Sequence, residues 1–251
     1  MVNSILITVR TSSTRLPRKA ILDINGKPTI QYLIENIKKS RLADKVILCT
    51  SEEPDDDILC QIATDCGIDY YRGSLKDKLV RWMETCKEYN IDFFVNVDGD
   101  DLFFDYNLAD LVIEQYNEHP CDFIDGNGLY NDVYGVSTKA LKKVCDIKDT
   151  DDTEYIRLYF TETNLFDVKK INNIPEKYIK RKVRMTLDYK EDFEFFKTVI
   201  EGVLPNELTL DNINNFLYNN PSIANINYFL DEEWKSNQEK IKNFKVKQHD
   251  W

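Results

Sequence analysis

A loop near the start of the chain concentrates positive charge. Arg10, Arg15, Arg18 and Lys19 follow the apolar run S-I-L-I-T-V and are interleaved with serine and threonine. Guanidinium groups bind phosphate oxygens through paired hydrogen bonds, and an ammonium group supplies a compact point charge. The spacing predicts a polyphosphate site, with solvated surface charge as the alternative. The loop matches neither G-x-x-x-x-G-K-[ST] nor G-x-G-x-x-G, so an ordinary P-loop or dinucleotide site is not supported.

A second chemical signal is the acidic sequence V-N-V-D-G-D-D, in which Asp98, Asp100 and Asp101 surround a glycine after an apolar run. Mg²⁺ is typically bound through one or two carboxylates together with phosphate oxygens. Beside a phosphate-binding loop in the same sheet, the motif predicts a metal–nucleotide site. The alternative is an Asp-Gly turn with solvated acids.

A third group lies in R-K-V-R-M-T-L-D-Y-K-E-D. Asp188 ends a predicted strand and is the candidate for a second metal ligand. Glu191 and Asp192 fall in the first turn of the following helix, where acidic side chains favour the helix N-terminus electrostatically.

Composition excludes several classes of function. The net charge of −11 over 251 residues argues against a nucleic-acid binder, and two histidines argue against a zinc hydrolase or a histidine base. The six cysteines form no C-x-x-C pair, which predicts core thiols in a reducing compartment. No apolar run approaches the roughly 20 residues that span a bilayer. We therefore expect a cytoplasmic protein that acts on a small anionic ligand, without nucleic-acid or membrane partners.

The elements that must position these residues alternate between strand and helix, which predicts an α/β fold with a mostly parallel sheet. The predicted strands are S-I-L-I-T-V, K-V-I-L-C-T, I-D-Y-Y-R-G, D-F-F-V-N-V, C-D-F-I-D, D-V-Y-G-V-S and K-V-R-M-T-L-D. The predicted helices include residues 28–42, 55–67, 75–89, 107–119, 138–145, 152–162, 190–203 and 209–221.

The organisation predicts a single domain over residues 1–251, since no long Pro/Gly/Ser linker divides the chain. We expect a small inserted lobe at about 121–180 and a helical tail at about 230–251. Within that lobe, T-E-Y-I-R-L-Y-F-T-E-T-N-L-F is either an interface of a homodimer or a cover for the sheet.

The chain resembles sugar nucleotidyltransferases of the cytidylyltransferase group. S-S-T-R-L-P-R-K-A-I-L-D-I-N-G-K-P-T-I is similar to the S-T-R-L-P-G-K-x-L-x-x-I-x-G-K-P-x-I signature of 3-deoxy-manno-octulosonate (Kdo) cytidylyltransferases, and V-N-V-D-G-D-D resembles their V-N-V-Q-G-D-E-P. The later part is similar to the spore-coat polysaccharide (SpsF-like) branch. The segments that carry this second similarity are Y-R-G-S-L-K-D-K-L-V-R-W-M-E, D-V-Y-G-V-S-T-K-A-L, D-T-E-Y-I-R-L-Y-F, M-T-L-D-Y-K-E-D-F-E-F-F, T-L-D-N-I-N-N-F-L-Y-N-N-P and I-A-N-I-N.

The resemblance implies a Rossmann-like nucleotidyltransferase fold and Mg²⁺-dependent transfer of CMP from CTP to an acidic sugar or similar acceptor, with release of pyrophosphate, for surface-glycan biosynthesis. It assigns catalysis to Arg10, Arg15, Lys19 and Asp100, and the metal to Asp100 and Asp188. The residues that it places near nucleotide or acceptor are Thr8, Val9, Ser12, Ser13, Arg72, Gly73, Ser74, Asp77, Asp98 and Asp132.

The chain also departs from the family pattern. Arg18 replaces the glycine that precedes Lys19, and it either crowds the phosphates or adds a contact. Around N-G-L-Y-N-D-V-Y-G the compact G-L-D-x-E-x-F pattern is disturbed, which points to an unusual acceptor. The alternatives are a nucleotidyltransferase that uses a sugar 1-phosphate, a phosphonate or another nucleotide, and a non-catalytic nucleotide-binding protein of the same fold.

Overall fold

The centre of the fold is a seven-stranded sheet with strand order β5-β4-β1-β6-β8-β7-β9, seen in a computed structural model that describes residues 1–153, 155–179, 181–240 and 245–247. The strands are β1 (Asn3–Thr8), β2 (Asp23–Ile24), β3 (Lys27–Pro28), β4 (Lys45–Ser51), β5 (Asp69–Gly73), β6 (Phe93–Asp98), β7 (Phe123–Asp125), β8 (Tyr134–Ser137) and β9 (Val168–Lys170). The helices are α1 (Thr29–Ile37), α2 (Asp57–Asp65), α3 (Lys78–Tyr89), α4 (Tyr106–Glu118), α5 (Thr138–Ile147), α6 (Arg157–Thr161), α7 (Lys190–Val203), α8 (Leu210–Asn219) and α9 (Asp231–Lys240).

Strand direction divides the sheet into two halves. β5, β4, β1 and β6 are parallel, whereas β8 runs antiparallel to both β6 and β7, and β9 is parallel to β7. The first crossover places β4 on one side of β1, and β6 lies on the other side. The sheet therefore reverses its winding at β1, and ligands of open α/β sheets bind beside such a point, at the carboxyl ends of the strands.

Helices cover both faces of the sheet, because successive side chains of a strand point to opposite faces. Ile5 and Ile7 of β1 belong to one buried apolar cluster, which includes residues of α1, α4, α7 and α8. Leu6 of β1 belongs to a second cluster, with residues of α3, α5 and α6. Burial on both sides explains why these strands are continuous apolar runs rather than alternating ones.

The predicted α/β fold with a mostly parallel sheet is confirmed, but the strand predicted over residues 182–188 is wrong. That segment is irregular, and its amide at Leu187 donates to the carbonyl oxygen of Asp100 at 3.0 Å. Its apolar residues Met185 and Leu187 are buried against the core instead of pairing with a strand, which is why the sequence is strand-like. The short hairpin β2–β3 and the edge strand β9 were not predicted.

The aromatic segment of the predicted lobe packs under the sheet. Tyr159 and Phe160 of α6 are completely buried in the second apolar cluster. This packing supports the sheet-covering interpretation of these two side chains. The helix itself is shorter than the predicted residues 152–162. A homodimer stays a prediction.

Among the described residues, no helix combines the length and the apolar character that crossing a membrane requires.

Candidate active site

A cleft of about 1080 Å³ lies beside the carboxyl ends of β1 and β6. It brings together most of the residues that the sequence predicted for the site. Those that line it are Thr8, Val9, Arg10, Ser12, Ser13, Arg15, Lys19, Asp98, Asp100, Asp132 and Asp188. Thus the basic loop after β1, the acidic turn after β6 and the irregular segment before α7 share one cavity, although they are far apart in sequence.

The cleft centres on Lys19, whose ammonium group lies between two carboxylates. Its Nζ is 2.7 Å from Oδ2 of Asp100 and 2.9 Å from Oδ1 of Asp188. Burial alone would lower the pKa of Lys19, but the two carboxylates raise it above its ordinary value. Lys19 therefore keeps its positive charge and holds the carboxylates of Asp100 and Asp188 close to each other.

The two carboxylates differ in electrostatic environment. Burial raises the pKa of Asp100, and the attraction of Lys19 only partly offsets this effect. Burial also acts on Asp188, but Lys19 and Arg15 outweigh it and hold the pKa of Asp188 at about 2. Arg15 Nη2 is 2.5 Å from Asp188 Oδ1. Asp188 is consequently the more strongly anionic of the pair.

Asp188 is supported from behind by Arg184, which sequence reasoning missed. Arg184 Nη2 donates to Asp188 Oδ2 at 3.1 Å, and its Nε donates to Asp192 Oδ1 at 2.9 Å. Asp192 in turn accepts the backbone amides of Asp188 and Tyr189, at 2.8 and 2.9 Å. Asp192 therefore shapes the start of α7, as the helix-terminus interpretation predicted. The spacing R-x-x-x-D-x-x-x-D was the available signal for this network.

Close packing fixes the turn that carries Asp100. A Cβ on Gly99 would lie only 2.5 Å from the Cβ of Val9, and the Gly99 amide donates to the Thr8 carbonyl at 2.9 Å. Only glycine allows the end of β1 to approach the turn after β6 so closely. The side chain of Thr8 is also held, since its Oγ1 accepts from Trp82 Nε1 at 2.9 Å.

The base of the β1 loop is held by a buried carboxylate. Asp56 Oδ1 accepts the amide and the hydroxyl of Thr11, at 2.7 and 2.6 Å, and its Oδ2 accepts the Thr50 hydroxyl at 2.8 Å. Burial would raise the pKa of Asp56, but hydrogen bonds from Ser51 and Thr11 lower it overall. Asp56 therefore fastens the loop to the end of β4. No motif marked it in the sequence.

Two further cations belong to the cleft. Arg10 Nη1 donates to the carbonyl of Leu75 at 2.8 Å, which holds its side chain along the segment before α3. Lys78, which the sequence analysis missed, lies 2.7 Å from Asp98 Oδ1 and above the Trp82 ring. Its place at the first turn of α3, after a strand end, was the available signal.

The Arg18 side chain lies outside the cleft. It is exposed and is not part of the lining, so crowding of bound phosphates and an added phosphate contact both stay predictions. Its backbone has φ 57° and ψ 26°, in the left-handed region. This conformation favours glycine. We infer that the glycine of the family signature serves the backbone at this position.

Four predicted site residues do not line the cleft: Arg72, Gly73, Ser74 and Asp77. Arg72 Nη1 pairs with Asp57 at 2.5 Å, and Arg72 also bonds backbone carbonyls near the end of β4. Asp77 caps α3 by accepting the Val80 amide at 3.1 Å. Their role near nucleotide or acceptor stays a prediction, and Asp77 has a structural role in any case.

The pair of Asp100 and Asp188 fits a divalent cation only if ligand oxygens complete the coordination. Both supply carboxylate oxygens, the donors that Mg²⁺ prefers. Both already lie around one positive charge, the Lys19 ammonium. Among the described residues, no group of three or more acidic, histidine or cysteine side chains is arranged to hold a metal ion. The residues thus suit a cation that arrives with a polyphosphate.

The chain is similar in sequence to two named proteins and in fold to a solved structure. The chain is 25% identical to the spore coat polysaccharide biosynthesis protein SpsF of Bacillus subtilis over 87% of the chain and 95% of that protein. It is 30% identical to the 3-deoxy-manno-octulosonate cytidylyltransferase of Trichlorobacter lovleyi over 46% of the chain and 45% of that protein. A solved cytidylyltransferase from Leptospira borgpetersenii superposes with a TM-score of 0.79 at 28% identity, covering 89% of this chain and 97% of that one.

The family model described as "Cytidylyltransferase" matches residues 4–228, nearly all of the region that forms the sheet, the basic loop and the two aspartates. The chain belongs to the cytidylyltransferase family.

Proposed function

We propose that the protein transfers CMP from CTP to a hydroxyl group of a sugar acceptor, with Mg²⁺ as cofactor and pyrophosphate as the second product, for surface-glycan assembly. The observation that carries the proposal is the placement of Lys19 between Asp100 and Asp188, beside the basic loop. A triphosphate and its metal ion need this combination of cations and paired carboxylates.

In this proposal the β1 loop binds the triphosphate. Its oxygens compete with Asp188 for Arg15 and Lys19, so that the two cations exchange a carboxylate partner for phosphate oxygens. Arg10 and Lys78 flank the same part of the cleft. Because these side chains are anchored by protein contacts before the ligand arrives, little side-chain entropy is lost on binding.

Transfer itself is a displacement at the α-phosphorus. The acceptor hydroxyl oxygen forms a bond to that phosphorus, the bond to the β-phosphate oxygen breaks, the hydroxyl proton is lost to solvent, and pyrophosphate departs. Catalysis then consists mainly of positioning both reactants and stabilising the negative charge on the phosphate oxygens. Arg15 and Lys19 are the residues of this chain that supply positive charge there.

Asp100 and Asp188 would hold the metal ion. When bound, Mg²⁺ neutralises phosphate oxygens and lowers the pKa of a coordinated hydroxyl. Release of Lys19 from the two carboxylates frees their oxygens for this purpose. We therefore expect metal and nucleotide to bind together more tightly than either binds alone.

A thermal-shift panel tests the proposal. CTP, UTP, GTP, ATP and dTTP are each added with and without Mg²⁺, and a ligand at about 100 times its Kd stabilises the fold by roughly 2.7 kcal/mol, or roughly 5–10 °C in Tm. We expect this shift with CTP and Mg²⁺ together, followed by pyrophosphate release with an acceptor.

The controls separate the alternatives. Asp188→Asn should lose most of the Mg²⁺ dependence, whereas Glu118→Gln, an exposed acid at the end of α4, should behave as wild type. A shift with another nucleotide would identify that nucleotide, instead of CTP, as the substrate of the same transfer reaction. A nucleotide shift without pyrophosphate release would favour the non-catalytic nucleotide-binding protein, and no shift with any nucleotide would contradict the proposal. A cytoplasmic location and a homodimer remain part of the proposal.

A further inference from the structure

α9 contributes to the cleft, although it follows the region that carries the family similarity. The family model ends at residue 228, and α9 begins at Asp231. Asp231, Trp234 and Lys235 nevertheless line the same cavity as Asp188. The helix has the sequence D-E-E-W-K-S-N-Q-E-K, in which Trp234 is the only apolar residue. A helix with so little apolar surface depends on specific side-chain contacts to stay in place.

Trp234 packs on a guanidinium group. The Cζ atom of Arg184 lies 5.2 Å from the centroid of the Trp234 ring and 5.6 Å from the centroid of the Tyr189 ring. Asn237 of α9 also donates to the Tyr189 hydroxyl at 3.4 Å. Aromatic faces attract a guanidinium group electrostatically, and more strongly where water is excluded. Two aromatic side chains, one of them supplied by α9, therefore hold Arg184.

The hydrogen bonds of Arg184 fix only part of its guanidinium group. Its side chain is 1% exposed, and its Nε and Nη2 atoms donate to Asp192 and Asp188. Within the part of the chain that the structure describes, its Nη1 atom has no hydrogen-bond acceptor. The Nε1 atom of Trp234 is also buried without an acceptor there, so this ring acts through its face. Loss of the ring would leave the guanidinium group freer to turn away from Asp188.

Arg184 differs from the other two cations that contact Asp188. Lys19 and Arg15 contact Oδ1 of this carboxylate, whereas Arg184 contacts Oδ2. In the proposed function, phosphate oxygens take Arg15 and Lys19 away from Asp188. Arg184 is buried and then remains as the cation that orients the carboxylate. Groups that orient a metal ligand from behind in this way control the affinity for the metal ion.

We propose that Trp234 is a positioning residue, which holds Arg184 and thereby holds the Asp188 carboxylate for the metal–nucleotide complex. The inference rests on the proposed function, because it requires that Asp188 binds the metal ion that accompanies the nucleotide. α9 is accordingly a part of the active site that lies outside the region matched by the family model.

Two variants grade the contact between the ring and Arg184. Trp234→Leu keeps an apolar side chain and removes the aromatic face, whereas Trp234→Phe keeps a smaller ring that attracts a cation more weakly. Phe229→Leu is the matched control, because it removes an aromatic ring that is 66% exposed and shortly precedes α9. The Tm of each variant without ligand is measured first, so that a general loss of stability is known.

The experiment titrates Mg²⁺ in the presence of CTP and records the Mg²⁺ concentration that gives half of the full shift in Tm. For Trp234→Leu we expect this concentration to rise roughly tenfold, as is typical when a group that supports a metal ligand is lost. For Trp234→Phe we expect a rise of roughly threefold. Both variants should reach the wild-type shift at saturating Mg²⁺, because the β1 loop is unchanged.

A double variant tests whether Trp234 acts through Asp188. At the Mg²⁺ concentration that half-saturates the wild type, Trp234→Leu should raise the Kd for CTP in the wild-type background. In the Asp188→Asn background the same substitution should change that Kd by less than about twofold, since the carboxylate on which it acts is gone. Equal increases in the two backgrounds would show that the ring acts elsewhere and would overturn the inference.

The remaining outcomes separate this inference from the proposed function. An unchanged Mg²⁺ requirement in Trp234→Leu would overturn the inference, whether or not the Tm without ligand is lowered. If Trp234→Leu does not fold, an unchanged requirement in Trp234→Phe would overturn it instead. An equal rise in Phe229→Leu would overturn it as well. If the wild-type protein shows no shift with CTP and Mg²⁺, the proposed function itself is overturned.

Discussion

The two ends of the cleft are built in different ways. At the nucleotide end, formed by the β1 loop and the turn after β6, the charged groups are paired with one another across the cavity, as in the contact of Lys19 with Asp100 and Asp188. At the other end, formed by β7, β8 and α6, buried Asp125 accepts two hydrogen bonds from Arg157, so this ion pair lies beside the cavity rather than across it.

This difference has a physical consequence. A ligand at the nucleotide end must replace existing ion pairs, so its binding free energy is the difference between two sets of charge contacts. A ligand at the other end would leave the Arg157–Asp125 pair in place. Substitutions at the nucleotide end should therefore change stability and activity together.

The largest expected effect comes from the paired carboxylates. Asp100→Asn and Asp188→Asn should each reduce turnover by roughly 10³-fold, because each removes part of the charge that positions a cation and a phosphate. Pyrophosphate release from CTP, with Glu118→Gln as control, measures the effect. Normal turnover in either variant would remove that residue from the metal site and weaken the contrast between the two ends.

Arg15 should contribute strongly to the affinity for CTP. Arg15→Gln is expected to raise the Kd for CTP by roughly 10- to 100-fold, since a charge-assisted hydrogen bond is worth about 1.5–3 kcal/mol. Arg18→Gln is the matched control, because Arg18 belongs to the same loop but is exposed and outside the lining. Equal losses in both variants would indicate a general effect of loop charge.

The pH dependence of stability isolates Asp188. Its pKa is about 2 in the fold and about 3.9 in an unfolded chain, so its stabilising contribution is complete above pH 5 and is lost as the pH falls toward 2. We expect the difference in the free energy of unfolding between the wild type and Asp188→Asn to shrink by about 2 kcal/mol over that interval.

Urea unfolding at several pH values between 2 and 5 measures this difference. Asp100 supplies an internal contrast, because its pKa is raised in the fold whereas that of Asp188 is lowered. The ionised form of Asp100 therefore destabilises the fold, and this destabilisation decreases as the pH falls. A constant difference for Asp188→Asn across the range would show that Lys19 and Arg15 do not stabilise the carboxylate.

The nucleotide end was largely predictable, because its chemistry is local in sequence. Arg10, Arg15 and Lys19 lie within one loop after an apolar strand, and Asp100 follows another such strand. Strand ends of a parallel sheet meet at one edge, so position along the chain was enough to bring these residues together.

The end formed by β7, β8 and α6 was not predictable in the same way. Asp125, Tyr134 and Arg157 meet only through the antiparallel pairing of β7 and β8 and the packing of α6, and no spacing in the sequence encodes that contact. The strand predicted over residues 182–188, the segment that carries Asp188, was wrong for a related reason. Met185 and Leu187 are apolar because they are buried by tertiary packing, and burial alone resembles a strand in a sequence.

The smallest expected effect is at Arg18. Replacing it with glycine removes a left-handed strain worth roughly 1–2 kcal/mol and adds unfolded-chain entropy worth roughly 0.4–1 kcal/mol, so stability should rise by about 1 kcal/mol or less. Because the side chain is exposed and outside the cleft, kcat should not change. Urea unfolding and pyrophosphate release measure the two effects. A large gain in kcat would mean that Arg18 enters the cleft when nucleotide binds, and the nucleotide end would then be less preformed than its ion pairs indicate.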